Sequence, residues 1–316
     1  MGGETGITEK DHTLESFFRE NPYFLLPWAC LAGIQLVFQV PCIAAWCDER
    51  GLEAFGAQRA MHLTAFVLIV QFALHGAFAV YHDRLEEGGY KIQDRPYRFQ
   101  VEETSTRSSA IIMVSMLSYG LTPMNQGEAS LLQIFIGYSI LLLVHDFWFY
   151  WVHRLAHTKR FYALIHKTHH KWKQPMVFAA YFIRSPSAVL QEHACLIPCM
   201  IFLPVPLYSF MLYQYLGAPM SMLEHCGFHV DELPLPYLSM VQWPLLGRPK
   251  VGHVMTILGG GWSLLLGSHS VEHHDYHHLN FNGNYGLSYS YLDKLFGTYV
   301  EPESFVGTPN EALLQA

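Results

Sequence analysis

Imidazole, neutral at pH 7 and carrying two ring nitrogens, is the protein side chain best fitted to hold a transition metal, and this sequence gathers it into four clusters. Fifteen of its nineteen histidines lie at or after His145. "HRLAH" sets His153 and His157 four apart; "HKTHH" sets His166, His169 and His170 three and four apart; "HCGFH" gives His225 and His229; "HDYHH" gives His274, His277 and His278. On a helix, such positions share one face, so each cluster can aim two or three nitrogens at a single point. Imidazole accepts iron, zinc, copper and nickel alike, so the residue type does not name the metal. A zinc site is generally complete with four ligands, so ten histidines imply two ions or a large surplus. The zinc-protease HExxH pattern is missing, because Arg154 and Lys167 stand where its glutamate would be. The Glu-x-x-His spacing of soluble di-metal bundles is missing as well. What remains is a histidine-dominated two-metal site.

Neighbouring residues sort by the same logic. His273 is a weaker ligand than His274, since only His274 completes the HxxHH spacing. His145 and Asp146, one to two turns before His153, and Asp275 have either a structural role or that of orienting a ligand by accepting its second N–H. His62, His75, His82 and His253 read as structural, His12 as solvated, and His269 is unassigned. The stripe "FWFYW" (Phe147 to Trp151) reads as membrane-interface packing, and "NFNGNYG" (Asn280 to Gly286) as a turn with no chemistry of its own.

The elements that carry these clusters read as membrane. The chain is 51% hydrophobic and only 14% charged, against roughly 25% charged in soluble proteins. Residues 23–46 and 61–81 are free of Lys, Arg, Asp and Glu and reach the roughly 20 residues that span a bilayer. Further apolar stretches run over residues 108–124, 129–154, 189–223 and 251–269. Prolines 198, 204 and 206 break the third of these and Gly259 to Gly261 the fourth. The expected fold is an all-α integral membrane bundle of about four transmembrane helices, some as hairpins, under a cytosolic histidine-rich cap. Residues 1–22 form a polar tail, 23–144 a transmembrane region, 145–298 the catalytic domain with an embedded hairpin at 189–223, and 299–316 a second tail. Residues 1–20 lack a signal peptide's basic start, so the first span is expected to serve as the anchor. All four clusters must meet on one side of the membrane, and Arg154, Lys159, Arg160, Lys167, Lys171 and Lys173 put that side in the cytosol. A net charge of −7 with no basic tract argues against nucleic acid. The six cysteines form no CxxC pair and read as buried apolar residues.

"HDFWFYWVHRLAHTKRFYALIHKTHHKWKQP", then "EHCGFHVDELPLP" and "HHDYHHLNFNGNYGLSYSYLDKLFGT", resemble the fatty acid hydroxylase and sterol desaturase superfamily. Within it they are most similar to the 4-methylsterol monooxygenases and fatty acid hydroxylase domain-containing proteins. The resemblance implies a multi-pass endoplasmic reticulum enzyme with a non-haem di-iron centre. It would use O2 and electrons from NAD(P)H, delivered through cytochrome b5 and its reductase, to hydroxylate a lipid C–H bond, with C-4 methyl oxidation of a sterol the leading expectation. A sphingoid-base or fatty-acid hydroxylase and a sterol C-5 desaturase share this chemistry. An inactive lipid-binding relative and a metal transporter are the non-enzyme alternatives, the second disfavoured because the clusters lie outside the apolar runs. Two departures from related methylsterol oxidases stand out. Arg184 to Ala188 replace an Ala-His-Pro-x-Glu element, which Glu192 or His193 would have to replace in function, and the glycine-interrupted apolar segment before the last cluster is longer than in close relatives.

Overall fold

A bilayer core offers no water to backbone N–H and C=O groups, so an apolar run that crosses it must bond internally as a helix. The computed structural model describes residues 54–93, 128–181, 194–203, 205–233 and 250–301, and among these all regular structure is helical, with two isolated β-bridges and no strand. Helix α1 spans Ala54–Glu87 and α2 spans Leu131–Ala156. Both are long and apolar enough to cross a membrane, α1 over Ala65–Glu87. They take up the expected apolar runs at 61–81 and 129–154. The runs at 23–46 and 108–124, and with them the full count of spans, lie outside the described residues, as do Arg184 to Ala188, Glu192 and His193. The expected hairpin at 189–223 is resolved over part of its length into α4, Leu196–Phe202, and α5, Leu207–Glu224. Only α5, at roughly 27 Å by helical rise, approaches bilayer thickness.

Helix α2 begins with a reciprocal cap: the Ser130 hydroxyl accepts from Gln133 N–H, and the Gln133 side chain accepts from Ser130 N–H. It then runs beside α5 in the same direction. Ser209 Oγ, near the start of α5, donates to the Ile134 carbonyl at 2.9 Å, and further along the Tyr213 hydroxyl bonds His145 Nδ1. The backbones can approach because position 137 is glycine, where a Cβ would sit 2.5 Å from Ser209 Oγ and 3.1 Å from Pro206 Cδ. Both C-terminal ends therefore arrive together, one bearing His153 and His157, the other His225. A helix C-terminus is the negative end of its macrodipole, so the paired ends favour a cation.

The remaining elements are short. They are α3 (Tyr162–Ile165), 3-10 turns at His169–Lys171 and Val177–Tyr181, α6 (Val251–Leu258), α7 (Ser263–Leu266), α8 (Val271–Asn280) and α9 (Tyr291–Leu295). All but α6 and α7 build the cap. A strap leaving α1 stitches them together. Lys91 bridges to Phe228, Ile92 N–H donates to the Gly227 carbonyl, and His229 N–H donates to the Tyr90 carbonyl. Gln93 Nε2 donates to the Lys173 carbonyl and to Asp275. The core beneath includes Leu141, Met176, Val177, Leu196, Met222 and Phe228, with Phe228 stacked on Phe78 of α1. Cys195, Cys199 and Cys226 are buried, as apolar residues would be. The "FWFYW" stripe divides: Phe147 and Trp151 face outward, while Phe149 and Tyr150 are buried. Overpacking the α2–α5 seam is the most direct test of this arrangement. Gly137→Leu should lower stability by about 1–3 kcal/mol, read as a drop in thermal midpoint of the detergent-solubilised protein, whereas Gly76→Leu on open helix surface should leave it nearly unchanged.

Candidate metal centre

Among the described residues, nine histidines converge in two groups. His153, His157, His166, His170 and His277 form one; His169, His225, His274 and His278 form the other. Within each group the ligand nitrogens all lie within 4.8 Å of one another. The groups adjoin, with the His169 and His166 rings 4.9 Å apart and the His170 and His278 rings 4.8 Å apart.

Proton positions follow from what the outer nitrogens touch. His153 Nδ1 lies 2.9 Å from the Tyr285 carbonyl, His225 Nδ1 2.7 Å from that of Ser221, His277 Nδ1 2.8 Å from that of Gly283, and His278 Nδ1 3.0 Å from that of Trp172. A carbonyl oxygen only accepts, so each of these Nδ1 atoms carries the proton and each Nε2 turns a bare lone pair inward. Those lone pairs meet other nitrogens at close range. His153 Nε2 faces His166 Nε2 at 2.9 Å, and His274 Nε2 lies 2.8 Å from His225 Nε2 and 3.1 Å from His278 Nε2. One proton on His274 can serve only one of its two neighbours. His277 Nε2 is buried with no hydrogen-bond partner at all. Burial, reinforced by neighbouring imidazoles, holds His166, His169, His170, His274 and His278 well below the usual histidine range. Burial likewise takes His157 down to about 2, and His225 and His277 to about 4. Protonation therefore cannot resolve the crowding, and a cation at the centre of each group can. The donor set, all neutral nitrogen, fits a transition metal in each.

The local structure carrying these residues is less helical than their spacing suggests. Only His274, His277 and His278 sit together on an α-helix, α8. His153 lies in the last turn of α2 with His157 as its C-cap, while His166 caps α3 and His169 and His170 lie in a 3-10 turn. His229, expected to converge with the others, is in neither group. Helix α5 ends at His225, Gly227 adopts φ +76°, and the chain then pairs with the strap after α1, which turns His229 outward. Its Nδ1 lies 2.7 Å from Glu272 Oε1. Burial pulls its pKa down, but the bonded Glu272 carboxylate outweighs this and the net shift is upward, toward the protonated form that binds no metal.

Three further side chains near the groups bond the scaffold. Asp146 Oδ1 accepts from Ser288 N–H and Tyr289 N–H, His145 bonds Tyr213, and Asp275 bonds Gln93. His273 is a cap residue: its Nδ1 accepts from Ser270 N–H at the start of α8 and its Nε2 lies 2.9 Å from the Tyr299 hydroxyl. His253 caps α6 in the same way. The turn at 280–286, read as without chemistry, supplies two of the four orienting carbonyls, Gly283 and Tyr285. Its geometry is unusual, with Phe281 at φ 64° and Asn284 at φ 52°, a region that non-glycine residues rarely enter. Asp293 holds it: buried Oδ1 accepts from Tyr285 N–H at 2.9 Å and Thr298 Oγ1 at 2.7 Å, and Oδ2 from Gly286 N–H at 2.7 Å. Burial raises the Asp293 pKa, but the bond to His269 and these other donors win and hold it below the carboxylate range. An aspartate nine residues after an Asn-Gly-Asn turn is the only sequence signal of this support.

Beside the groups lies a cavity of about 610 Å³, of the size that holds small organic ligands. It runs between α2, α5 and α6, from Tyr138 and Leu142 up to Ser221 and Val271 at the edge of the second histidine group.

The fatty acid hydroxylase family model matches residues 138–298. The chain is 25% identical to methylsterol monooxygenase 1 of Rattus norvegicus over 52% of its length and 46% of the relative's. It is 28% identical to methylsterol monooxygenase 2-1 of Arabidopsis thaliana over 49% of its length and 53% of the relative's. To human fatty acid hydroxylase domain-containing protein 2 it is 28% identical over 51% of its length and 37% of the relative's. The aligned region thus spans about half the length of the curated relatives it matches, or less. No solved structure matches.

Two outcomes follow from the geometry. Loss of one imidazole should matter more in the group of four than in the group of five. Metal analysis of the purified chain should therefore show a full ion lost in His225→Ala, a smaller loss in His157→Ala, and unchanged content in His229→Ala. Asp293→Ala strands three buried donors and should cost about 1–3 kcal/mol, measured by thermal denaturation, with metal content falling as the 283–286 carbonyls shift.

Proposed function

The chain belongs to the fatty acid hydroxylase family, and on that premise we propose that it is a membrane-bound non-haem di-iron monooxygenase that hydroxylates a lipid, at a C-4 methyl group of a sterol. The observation that carries this reading is the pair of adjoining, all-imidazole groups at the end of an apolar helix bundle, beside a cavity large enough for a lipid. His153, His157, His166, His170 and His277 would hold one iron, and His169, His225, His274 and His278 the other. When bound, the iron pair supplies reduction of O2 and an oxidant able to take hydrogen from an unactivated C–H bond. The protein's own residues do the rest. Neutral imidazoles leave the metals their positive charge. The carbonyls of Ser221, Gly283, Tyr285 and Trp172 fix the direction of four Nε2 atoms. Leu142, Leu216 and Met255 in the cavity wall would face the hydrocarbon of the lipid.

Electrons would come from NAD(P)H through cytochrome b5 and its reductase, with the centre on the cytosolic face of the endoplasmic reticulum membrane. The exposed Lys159, Arg160, Lys167, Lys171 and Lys173 beside the first group support that orientation. The C-4 position is supported by the similarity to proteins named methylsterol monooxygenase. Placement of the histidine groups largely at helix ends and turns, rather than at broken helices in mid-membrane, weighs against a transporter.

The test is reconstitution in vesicles with cytochrome b5, its reductase, NADH and a 4,4-dimethylsterol under 18O2. A C-4 hydroxymethyl product carrying one 18O is expected, with His169→Ala lowering the rate at least about 100-fold. Label appearing instead in a fatty acyl or sphingoid chain, or a new double bond with no oxygen gained, would reassign the substrate or the outcome. NADH oxidation that no lipid stimulates would sink the enzymatic reading.

A further inference from the structure

The glycine-interrupted segment between Lys250 and His269 supplies none of the converging histidines, yet it closes one side of the cavity. Both of its ends sit at the level of the cap: Lys250 pairs with Glu232 beside His229, and His269 N–H donates to the Ser288 carbonyl. Its middle does not. Helices α6 and α7 are joined at Gly259 to Gly261, where Gly260 and Gly261 take φ of +70° and +73°, open to glycine and strained for other residues. The Tyr138 hydroxyl of α2 donates to the Leu258 carbonyl, and the Tyr289 hydroxyl donates to the Gly259 carbonyl at 3.0 Å. Tyr138 lies 15 positions before His153 on α2, roughly 22 Å along the helix axis. The break in the segment therefore lies well inside the apolar layer that α2 crosses. Irregular backbone is tolerated there only if its polar groups are satisfied by protein, and the two tyrosines do this for two carbonyls at the break.

The faces of the segment differ in what they meet. Met255, Thr256, Leu258 and Ser263 line the cavity. Ile257, Leu264 and Leu265 point away and are 68%, 81% and 78% exposed. The break is tied to Tyr138 of α2, and the residues just before Tyr138 on that spanning helix, Leu131, Leu132, Phe135 and Ile136, are likewise exposed and apolar. Where α2 meets lipid, the segment beside it meets lipid too.

We propose that residues 251–266 form a re-entrant loop whose outer face is immersed in the acyl chains of the bilayer and whose inner face is the wall of the substrate cavity. One glycine-hinged layer of protein then separates a membrane lipid from the site, and that layer is the lateral entrance. The proposal rests on the membrane reading given above and not on the metal chemistry.

Nitroxide labels on the full chain in phosphatidylcholine vesicles test it without turnover, the unsubstituted protein giving the background from native cysteines. A label at Leu264→Cys should collide with O2 in preference to a water-soluble nickel chelate, in a ratio within about twofold of that at Phe135→Cys and opposite to that at Lys159→Cys. Tyr138→Phe and Tyr289→Phe should each raise the mobility of the Leu264 label by freeing the break. A Leu264 label that behaves like the one at Lys159, or one whose mobility neither tyrosine substitution changes, would overturn the proposal. An inactive protein with Leu264 in lipid would sink the catalytic reading alone.

Discussion

Bonds from imidazole Nδ1–H to main-chain carbonyls are what the rest of this molecule is arranged around. Each fixes a tautomer, and each fixed tautomer commits one inward nitrogen to being a lone pair. Gathering several such lone pairs in a buried space with lowered basicity is unfavourable unless a cation occupies it. The apparent excess of histidine is thus a requirement of the site: no proton can be added without opposing burial and the neighbouring rings, and none of the four carbonyl-bonded rings can rotate without losing its bond.

Everything that supplies those carbonyls must hold its place to within a fraction of a hydrogen-bond length, and the fold supplies the rigidity in layers. Parallel α2 and α5, brought close at Gly137, deliver two helix ends and the Ser221 carbonyl. The strap after α1 ties the Gly227 turn and Asp275 to the membrane bundle. Asp293 clamps the 283–286 turn, and Asp146 reaches from inside α2 to clamp the neighbouring backbone at 288–289. A carboxylate is suited to this work because it accepts from several N–H groups at once.

Residue spacing made much of the centre legible. Clusters three and four apart were enough to name the nine histidines that converge, because i, i+3 and i+4 neighbours stay close on 3-10 turns and helix caps as well as on α-helices. The same rule failed at His229, since it assumes an unbroken helix and Gly227 turns the chain through a left-handed conformation to meet the strap. Apolar runs identified α1 and α2, whereas the segment at 251–269 could be read as broken but not as re-entrant, because that depends on which distant hydroxyls satisfy the carbonyls at the break. The orienting carbonyls were invisible, as a backbone acceptor has no residue type. Asp146 and Asp275 were legible as important acids, and each accepts from amides of the scaffold.

The central claim is that the nine converging imidazoles serve two irons and nothing else. X-ray absorption at the iron edge of the purified, iron-loaded chain addresses it most directly. The account predicts a first shell of nitrogen and oxygen only, with the outer-shell multiple scattering of four or five imidazoles per iron and an absorption edge unaffected by His229→Ala. A sulfur scatterer, or a shell with too few imidazoles to engage both groups, would contradict it.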